Sequence, residues 1–488
     1  MIDIKTKISS FFLFNSSFGP KEGEELKRIL FFHPKDVSSD ARKTQVGLCE
    51  AVVKFMCTFS TEPCEALQTQ TKRYMFYQPE EDYWMVLVAN IPYTTKAHTS
   101  TGEGQAEFAC NHSDRNSSRG GNCQQCNNKT QCHSSLEESY STHPFPEASI
   151  MSNLLVSAYN TFRMFMGPLK DIPIENIYSI CEKFFTPFIQ SRNLCNDITE
   201  VIKGVNYLPL DKNCFYKVIC FIDLLEINYP DFNCISFVYN DKLIWNGLAP
   251  NDMLTLYQYL VESLLPSQIE KELQGGAVAA AERHGRFISP PEGIRYKEDL
   301  QNLTKIHVTR EDETESKEYY LIIYRTLSAT VCFTIDVKTP LDIESFRSLD
   351  AFIGPQLSII ASTISEQCAV NALQAAQLIN ADHKFVYFNR LNYAFKASPS
   401  LNKLVPSTTL KPEVLSIIAG IHGDRQSLGN YGEVIIKTPH EYWITGKSSN
   451  NREFYVVIQE KNANLKEIAD EVRRISESQL KGIFFYPM

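Results

Sequence analysis

Six residues in one stretch could hold a metal ion. Cys110, Cys123, Cys126 and Cys132 lie close together in the chain, with His112 and His133 among them. Cys123-x-x-Cys126 is the usual half-site of a tetrahedral zinc centre, which needs two such halves. The second pair here is irregular, and the flanking NHSDRNSSRGGN and QQCNNKTQ offer almost no apolar residues to build a zinc domain around. A single C-x-x-C is a weak signal. The stretch reads as an insertion with incidental cysteines, and no metal is expected. TGKSS at 445–449 carries the tail of a phosphate-binding loop. That loop also needs a glycine five residues before its GK glycine, and runs from strand to helix. Glu441 stands at the glycine position, where a carboxylate would repel phosphate, and the segment runs from strand to strand. No H-E-x-x-H, G-x-S-x-G or strand-borne G-x-G-x-x-G appears. The residues point to no catalytic set and to no cofactor.

One electrostatic feature remains. Between 381 and 411, Lys384, Arg390, Lys396, Lys403 and Lys411 stand against Asp382 alone. The bland reading is a solvated face. The sharper one is a patch for anionic lipid, worth about 1 kcal/mol per basic residue at a membrane surface.

The whole chain sets the frame for these residues. Its 488 residues exceed one ordinary core and suggest about three domains. A hydrophobic content of 43% is globular, and a net charge of -9 argues against a protein that coats nucleic acid. No apolar run reaches the roughly 20 residues of a membrane helix. The opening ISSFFLF reads as a buried first strand rather than a signal peptide, so a cytosolic protein is expected. Most of the 14 cysteines sit singly in apolar patterns, as buried thiols do, and the sequons at Asn15, Asn111, Asn116, Asn128 and Asn302 then carry no meaning.

Three parts repeat one order of elements. SSFFLFN and KRILFFHP read as a hairpin. KTQVGLCEAVVKFMCTFS follows as a helix, with Val46, Cys49, Val52, Val53 and Met56 at three- and four-residue spacing. KRYMFYQ and DYWMVLVANIP read as strands. Residues 95–147 are too poor in apolar side chains to offset the entropy of ordering, and read as a mobile insertion. Two helices come next, the second striped by Ile177, Ile180, Cys181, Phe184 and Phe188. The second part opens on CISFVYNDKLIWNGL, a hairpin, then a helix capped by Asn251. Strands YYLIIYRTL and ATVCFTIDV follow, then a long helical segment expected to break at Gly354-Pro355. The third part gives KFVYFNRLNYAFKAS, a short helix, GEVIIKTPHEYWITGK, REFYVVIQEK, and a last helix opened by a capping box from Asn464 to Glu467. Trp84 and Trp443 read as like positions in the first and third parts, each anchoring its sheet.

SFFLFNSSFGPKEGEELKRILFFHP, VGLCEAVVKF, PEEDYWMVLV, FVYNDKLIWNGL, ATVCFTID, GPQLSIIAS, KFVYFN, YWITGK and QEKNANLKEI together resemble the vacuolar fusion protein Ccz-one (calcium-caffeine-zinc sensitivity) family, in order and from about residue 9 to the end. Residues 95–147 and the loop at 270–300 depart from it. The resemblance implies an α+β protein of three longin-type domains, each a five-stranded antiparallel sheet flanked by helices. Residues 1–225, 226–378 and 379–488 are their expected extents. It implies one subunit of a guanine nucleotide exchange factor, paired with a Mon-one type longin protein, that activates the late-endosomal Rab-seven GTPase and promotes endosome maturation and fusion with lysosome or vacuole. It implies a large third scaffold subunit in animals, and a cytoplasmic chain recruited to late-endosome and lysosome membranes through phosphoinositides. Neither longin chain alone would be the enzyme. Gln45, Gly47, Glu50, Val53 and Lys54 on the first helix, with Asn90, Ile91 and Pro92 at a strand exit, are the candidates for contact with GTPase or partner. Val46, Val53, Phe55 and Phe59 spread over more than one stripe of that helix, which predicts an apolar face that a partner covers. The competing reading is a longin scaffold with no exchange activity.

Overall fold

The computed structural model describes residues 8–59, 64–91, 148–192, 194, 197–274, 285–289, 294, 296–309, 316–378, 384–398, 401, 410–424 and 431–480. The metal candidates, Pro92, Lys403 and the insertion at 95–147 lie outside them.

ISSFFLF is strand β1 (Ile8–Asn15). Phe11 and Leu13 enter one core and Phe12 and Phe14 another, so both faces of the strand are covered. That double burial is why the run is continuously apolar. β2 (Ile29–His33) pairs antiparallel with β1. Helix α1 (Ser39–Cys57) follows, its N-terminus capped by the Ser38 hydroxyl, which accepts from the Ala41 N–H. β3 (Ala66–Gln68), β4 (Lys72–Glu80) and β5 (Tyr83–Asn90) complete a five-stranded sheet in the order β2-β1-β5-β4-β3. α1 lies on one face. α2 (Ala148–Met166) and α3 (Ile174–Gln190) lie on the other. The buried line of α3 is Ile177, Cys181, Phe185 and Ile189. Ile180, Phe184 and Phe188, expected on that stripe, flank it half-buried.

A short passage, α4 (Ile198–Val201) and β6 (Val205–Asn206), leads to the second unit. There α5 (Lys212–Asn228) precedes β7 (Phe232–Tyr239) and β8 (Lys242–Asn246). The expected boundary at 225 and 226 falls inside α5, which packs in the core of this second sheet. α6 (Pro250–Tyr259) starts with Pro250 in its first turn and Ala249 as its cap. Asn251 is therefore a helical residue and not the cap. α6 passes through one π-helical turn into α7 (Leu265–Gln274). Then come β9 (Arg286–Phe287), α8 (Lys297–Gln301), β10 (Lys305–Thr309), β11 (Ser316–Thr326) and β12 (Ala329–Asp336). α9 (Ile343–Leu378) runs unbroken through Gly354-Pro355, against the expected break. A proline removes one N–H and crowds one carbonyl of the preceding turn. Here Ile353 and Leu357 on either side are fully buried, and that packing holds the helix together across Pro355.

The third unit has β13 (Lys384–Asn389), β14 (Ala394–Ala397), α10 (Pro412–Gly423), β15 (Tyr431–Lys437), β16 (Tyr442–Ser449), β17 (Arg452–Gln459) and α11 (Leu465–Gln479). The capping box of α11 forms as read: Asn464 Oδ1 accepts from the Glu467 N–H and Glu467 Oε2 accepts from the Asn464 N–H, both at 3.0 Å.

The second sheet reads β8-β7-β12-β11-β10 and the third β14-β13-β17-β16-β15. Both repeat the order of the first. Each adds one strand to the expected five: β9 pairs with β11, and β6 lies parallel to β14. Trp84 and Trp443 are not equivalent under this order. Trp84 is on the central strand β5, opposite Phe14 of β1, and packs under α1. Trp443 is on β16, which matches β4, and packs with α11 on the other face. TGKSS lies within β16, so it forms no phosphate loop.

The units are fused rather than strung. Val205 and Asn206 pair with Ala394 and Phe395, and Tyr207 bridges Leu243 of β8, so residues 205–208 stitch the second sheet to the third. The first and third units share one continuous buried cluster, from Phe11 and Leu13 through α2 and α4 to Val386, Ile418 and Val457. α2 also packs on β10 and α6 of the second unit.

Candidate functional site

α1 divides its side chains between two environments. Val46, Cys49 and Val53 are buried against Phe12, Phe32, Tyr74, Trp84 and Val86. Leu48, Phe55, Met56 and Phe59 point away from the sheet and are 49%, 63%, 40% and 74% exposed. The Phe55 and Phe59 rings meet edge-on, with centroids 4.8 Å apart. Phe55 and Met56 lie seven and eight residues beyond Leu48, on the same side of the helix, and Phe59 lies four beyond Phe55, just past the helix end. Covering two phenylalanines, a leucine and a methionine would stabilise an association by about 1.5–3 kcal/mol each before ordering costs. Such a stripe is the kind of surface a partner covers.

The expected contact residues fall into two groups. Gln45 donates from Nε2 to the Ser10 hydroxyl at 2.7 Å, and Ser10 is the register partner of Val88. Asn90 ends that strand and Ile91 follows it, so Gln45, Asn90 and Ile91 share one end of the sheet. Asn90 is exposed, and the Ile91 N–H donates to Thr71 O. Glu50 and Lys54 belong to the other end. Glu50 is buried and accepts from Arg28 Nη1 at 2.8 Å and Lys54 Nζ at 2.6 Å. Arg28 also donates to Phe18 O and Gly19 O, fastening the β1–β2 loop to α1. Gly47 is exposed, with open space where a Cβ would stand. Val53 is 4% exposed and serves the core. Met56, expected on the same stripe as Val46, Cys49 and Val53, instead points outward, and Leu48 was not singled out in the sequence. Which side of the helix they occupy is visible only when the buried side is known.

The basic residues of the third unit do not gather into one patch. Lys384 projects with Val386 and Phe388 toward the face shared with the first unit. Lys396, opposite Tyr387, projects to the other face, where its Nζ lies 5.9 Å from the Phe385 ring and donates to Gln479 O. That partly dry setting pulls the Lys396 ammonium below its usual pKa. Lys411 caps α10 and stands over the Tyr442 ring. Arg390 turns inward. Its guanidinium pairs with Glu453 and donates to His422 O at 2.7 Å, while His422 Nδ1 and the Tyr455 hydroxyl contact Glu453 Oε2 at 2.7 and 2.8 Å. Burial alone would raise the Glu453 carboxyl, but the hydrogen bond and charge of His422 and the charge of Arg390 bring it below the ordinary value.

Arg390 and His422 also line a cleft of about 250 Å³ where the three units meet, with Lys203, Asn160, Asn251 and Tyr393. Tyr393 donates to Asn251 Oδ1 across it. No metal-holding cluster of His, Cys, Asp or Glu occurs among the described residues. No helix among them is long and apolar enough to cross a membrane.

Comparison with known sequences covers all three units. Residues 8–167 match the family described as the first longin domain of INTU, CCZ1 and HPS4. Residues 233–354 and 379–475 match Intu longin-like domains 2 and 3. Over 98% of the chain it is 35% identical to the vacuolar fusion protein CCZ1 homolog of Xenopus tropicalis, covering 96% of that protein. It is 34% identical to the Nematostella vectensis homolog over 98% of the chain and 97% of the relative. The Dictyostelium discoideum homolog is 24% identical over 99% of the chain and 98% of its own length.

Proposed function

The chain belongs to the vacuolar fusion protein CCZ1 family of longin proteins, and from that premise we propose that it is one subunit of a heteromeric guanine nucleotide exchange factor for the late-endosomal Rab-seven GTPase. Its partner is a second longin protein of the Mon-one type. The observation that supports this reading is the outward stripe Leu48, Phe55 and Met56 of α1 with Phe59 just past its end, on a unit whose opposite face is already covered by α2 and α3. An exchange factor makes no covalent bond. It binds the nucleotide-free GTPase more tightly than the loaded one and so shifts the population toward release. Surface shape supplies that preference, and one longin unit from each chain supplies the surface. Cytoplasmic recruitment to the anionic surface of late endosomes and a large third subunit belong to the same proposal. The dispersal of Lys384, Lys396 and Lys411 over different parts of the third unit argues against those lysines acting as one lipid patch.

The test is release of a fluorescent guanine nucleotide from the GTPase, with each longin chain alone and with both. Fast release is expected only from the pair, and Phe55→Asp with Phe59→Asp should abolish it. Full activity from the partner alone would leave this chain a scaffold, as would inactivity of the pair.

A further inference from the structure

Most sheet edges in this molecule are short, joined or covered. β2 lies against α1 and α3, β3 has three residues, and β10 packs against α2. β8 and β14 are joined through residues 205–208. β15 is different. Among the described residues only β16 pairs with its backbone, along an unshifted register from Tyr431↔Ser449 to Lys437↔Trp443, while the Tyr431 hydroxyl donates to Asn450 and the Lys437 ammonium to Lys461 O. Its seven residues, YGEVIIK, contain no proline and no bulge. An edge left in that state presents a row of unpaired backbone groups to another strand.

The sequence of this edge is complementary to itself. Laid antiparallel on a second copy about Ile435, Glu433 stands opposite Lys437, Val434 opposite Ile436, and Ile435 opposite Ile435. The two carboxylate–ammonium pairs fall on one face, and the Val–Ile pairs on the other. Glu433 already stands opposite Lys447 of β16, so the new pair continues a row of alternating charge across the sheet. Val434, Ile435 and Ile436 are each half-buried by their own unit and keep surface for a neighbour. We propose that β15 is a docking edge for a second copy of this chain, paired antiparallel about a twofold axis through Ile435. The contact is isologous and closes on itself, so it makes a dimer and not a fibre. It uses the third unit and needs no exchange activity.

Sedimentation velocity of the full chain, alone or with any bound subunit, over a range of concentrations tests it. Two copies per particle are expected at high concentration. Glu433→Lys sets Lys opposite Lys437 of the second copy, and Lys437→Glu does the same with acids. Each should weaken dimerisation about tenfold, since cross-strand charge pairs are felt directly and the twofold axis doubles the change. Glu433→Lys also faces Lys447 within its own sheet, and Lys437→Glu gives up the Trp443 ring 4.6 Å from its ammonium, so the double reversal is the deciding variant. The double reversal restores both pairs and should return the affinity to near that of the unaltered chain. One copy per particle at every concentration would overturn the proposal. So would a double reversal no better than the singles. Amide protection of β15 in a particle holding one copy would show that another chain occupies the edge, and would overturn it as well.

Discussion

Val53 and Phe55 stand two residues apart on α1 and face opposite ways. Val53→Asp would put an unpaired carboxylate among Phe12, Trp84 and Val86, and should cost roughly 3 kcal/mol or more of the chain's own stability. Phe55→Ser removes an outward ring and should leave stability within about 0.5 kcal/mol while weakening association with the partner. Thermal melts of the isolated chain, set beside pull-down of the partner, separate the two. The sequence showed apolar residues on more than one side of this helix. It could not show which side meets the sheet, because that depends on how the helix crosses β1 and β5. Glu453 gives a second case. Arg390 read as a lipid contact because its acid lies 63 residues away, and no local pattern announces such a partner. Because the Glu453 pKa is lowered on folding, its contribution is full above the unfolded value of about 4.5 and is lost as pH falls through the lower folded value. Glu453→Gln should therefore lower the melting temperature at neutral pH, and the difference from the unaltered chain should shrink in acid. A difference of constant size down to about pH 3 would contradict this assignment.

Among the elements, those with a local signature were legible. The capping box of α11 was readable because its two hydrogen bonds join residues three apart. The hairpins of β1 with β2 and of β7 with β8 were readable from apolar runs and turn residues. β6 was not. It has two residues, and it is a strand only because β14 lies beside it. Its neighbour Gly204 shows how close that approach is. A Cβ there would stand 2.4 Å from Phe395 Cβ and 3.0 Å from Tyr393 O. Gly204→Val should force the passage away from β14, at a cost of about 1–3 kcal/mol typical of overpacking. Differential scanning calorimetry should then show a lowered melt that broadens or splits as the second and third units lose their stitch. An unchanged single transition would mean that the stitch carries little of the coupling.

At the scale of the molecule, the three-part order of elements was readable, and the identical strand order of the three sheets gives it a physical form. The fusion of the parts was not readable, because contacts between distant segments leave no period in a sequence. The cluster shared by the first and third units has a consequence for how the chain is made. Phe11 and Leu13 are synthesised more than 400 residues ahead of Ile418 and Val457, which complete the same core. At ribosomal rates the delay from α4 to β17 is on the order of tens of seconds. Through that interval Ile198, Val201 and the adjoining side of α2 have nothing from the third unit to cover them. The nascent chain is then a natural client for a chaperone that binds apolar surface, and the first unit is the part such a chaperone would hold.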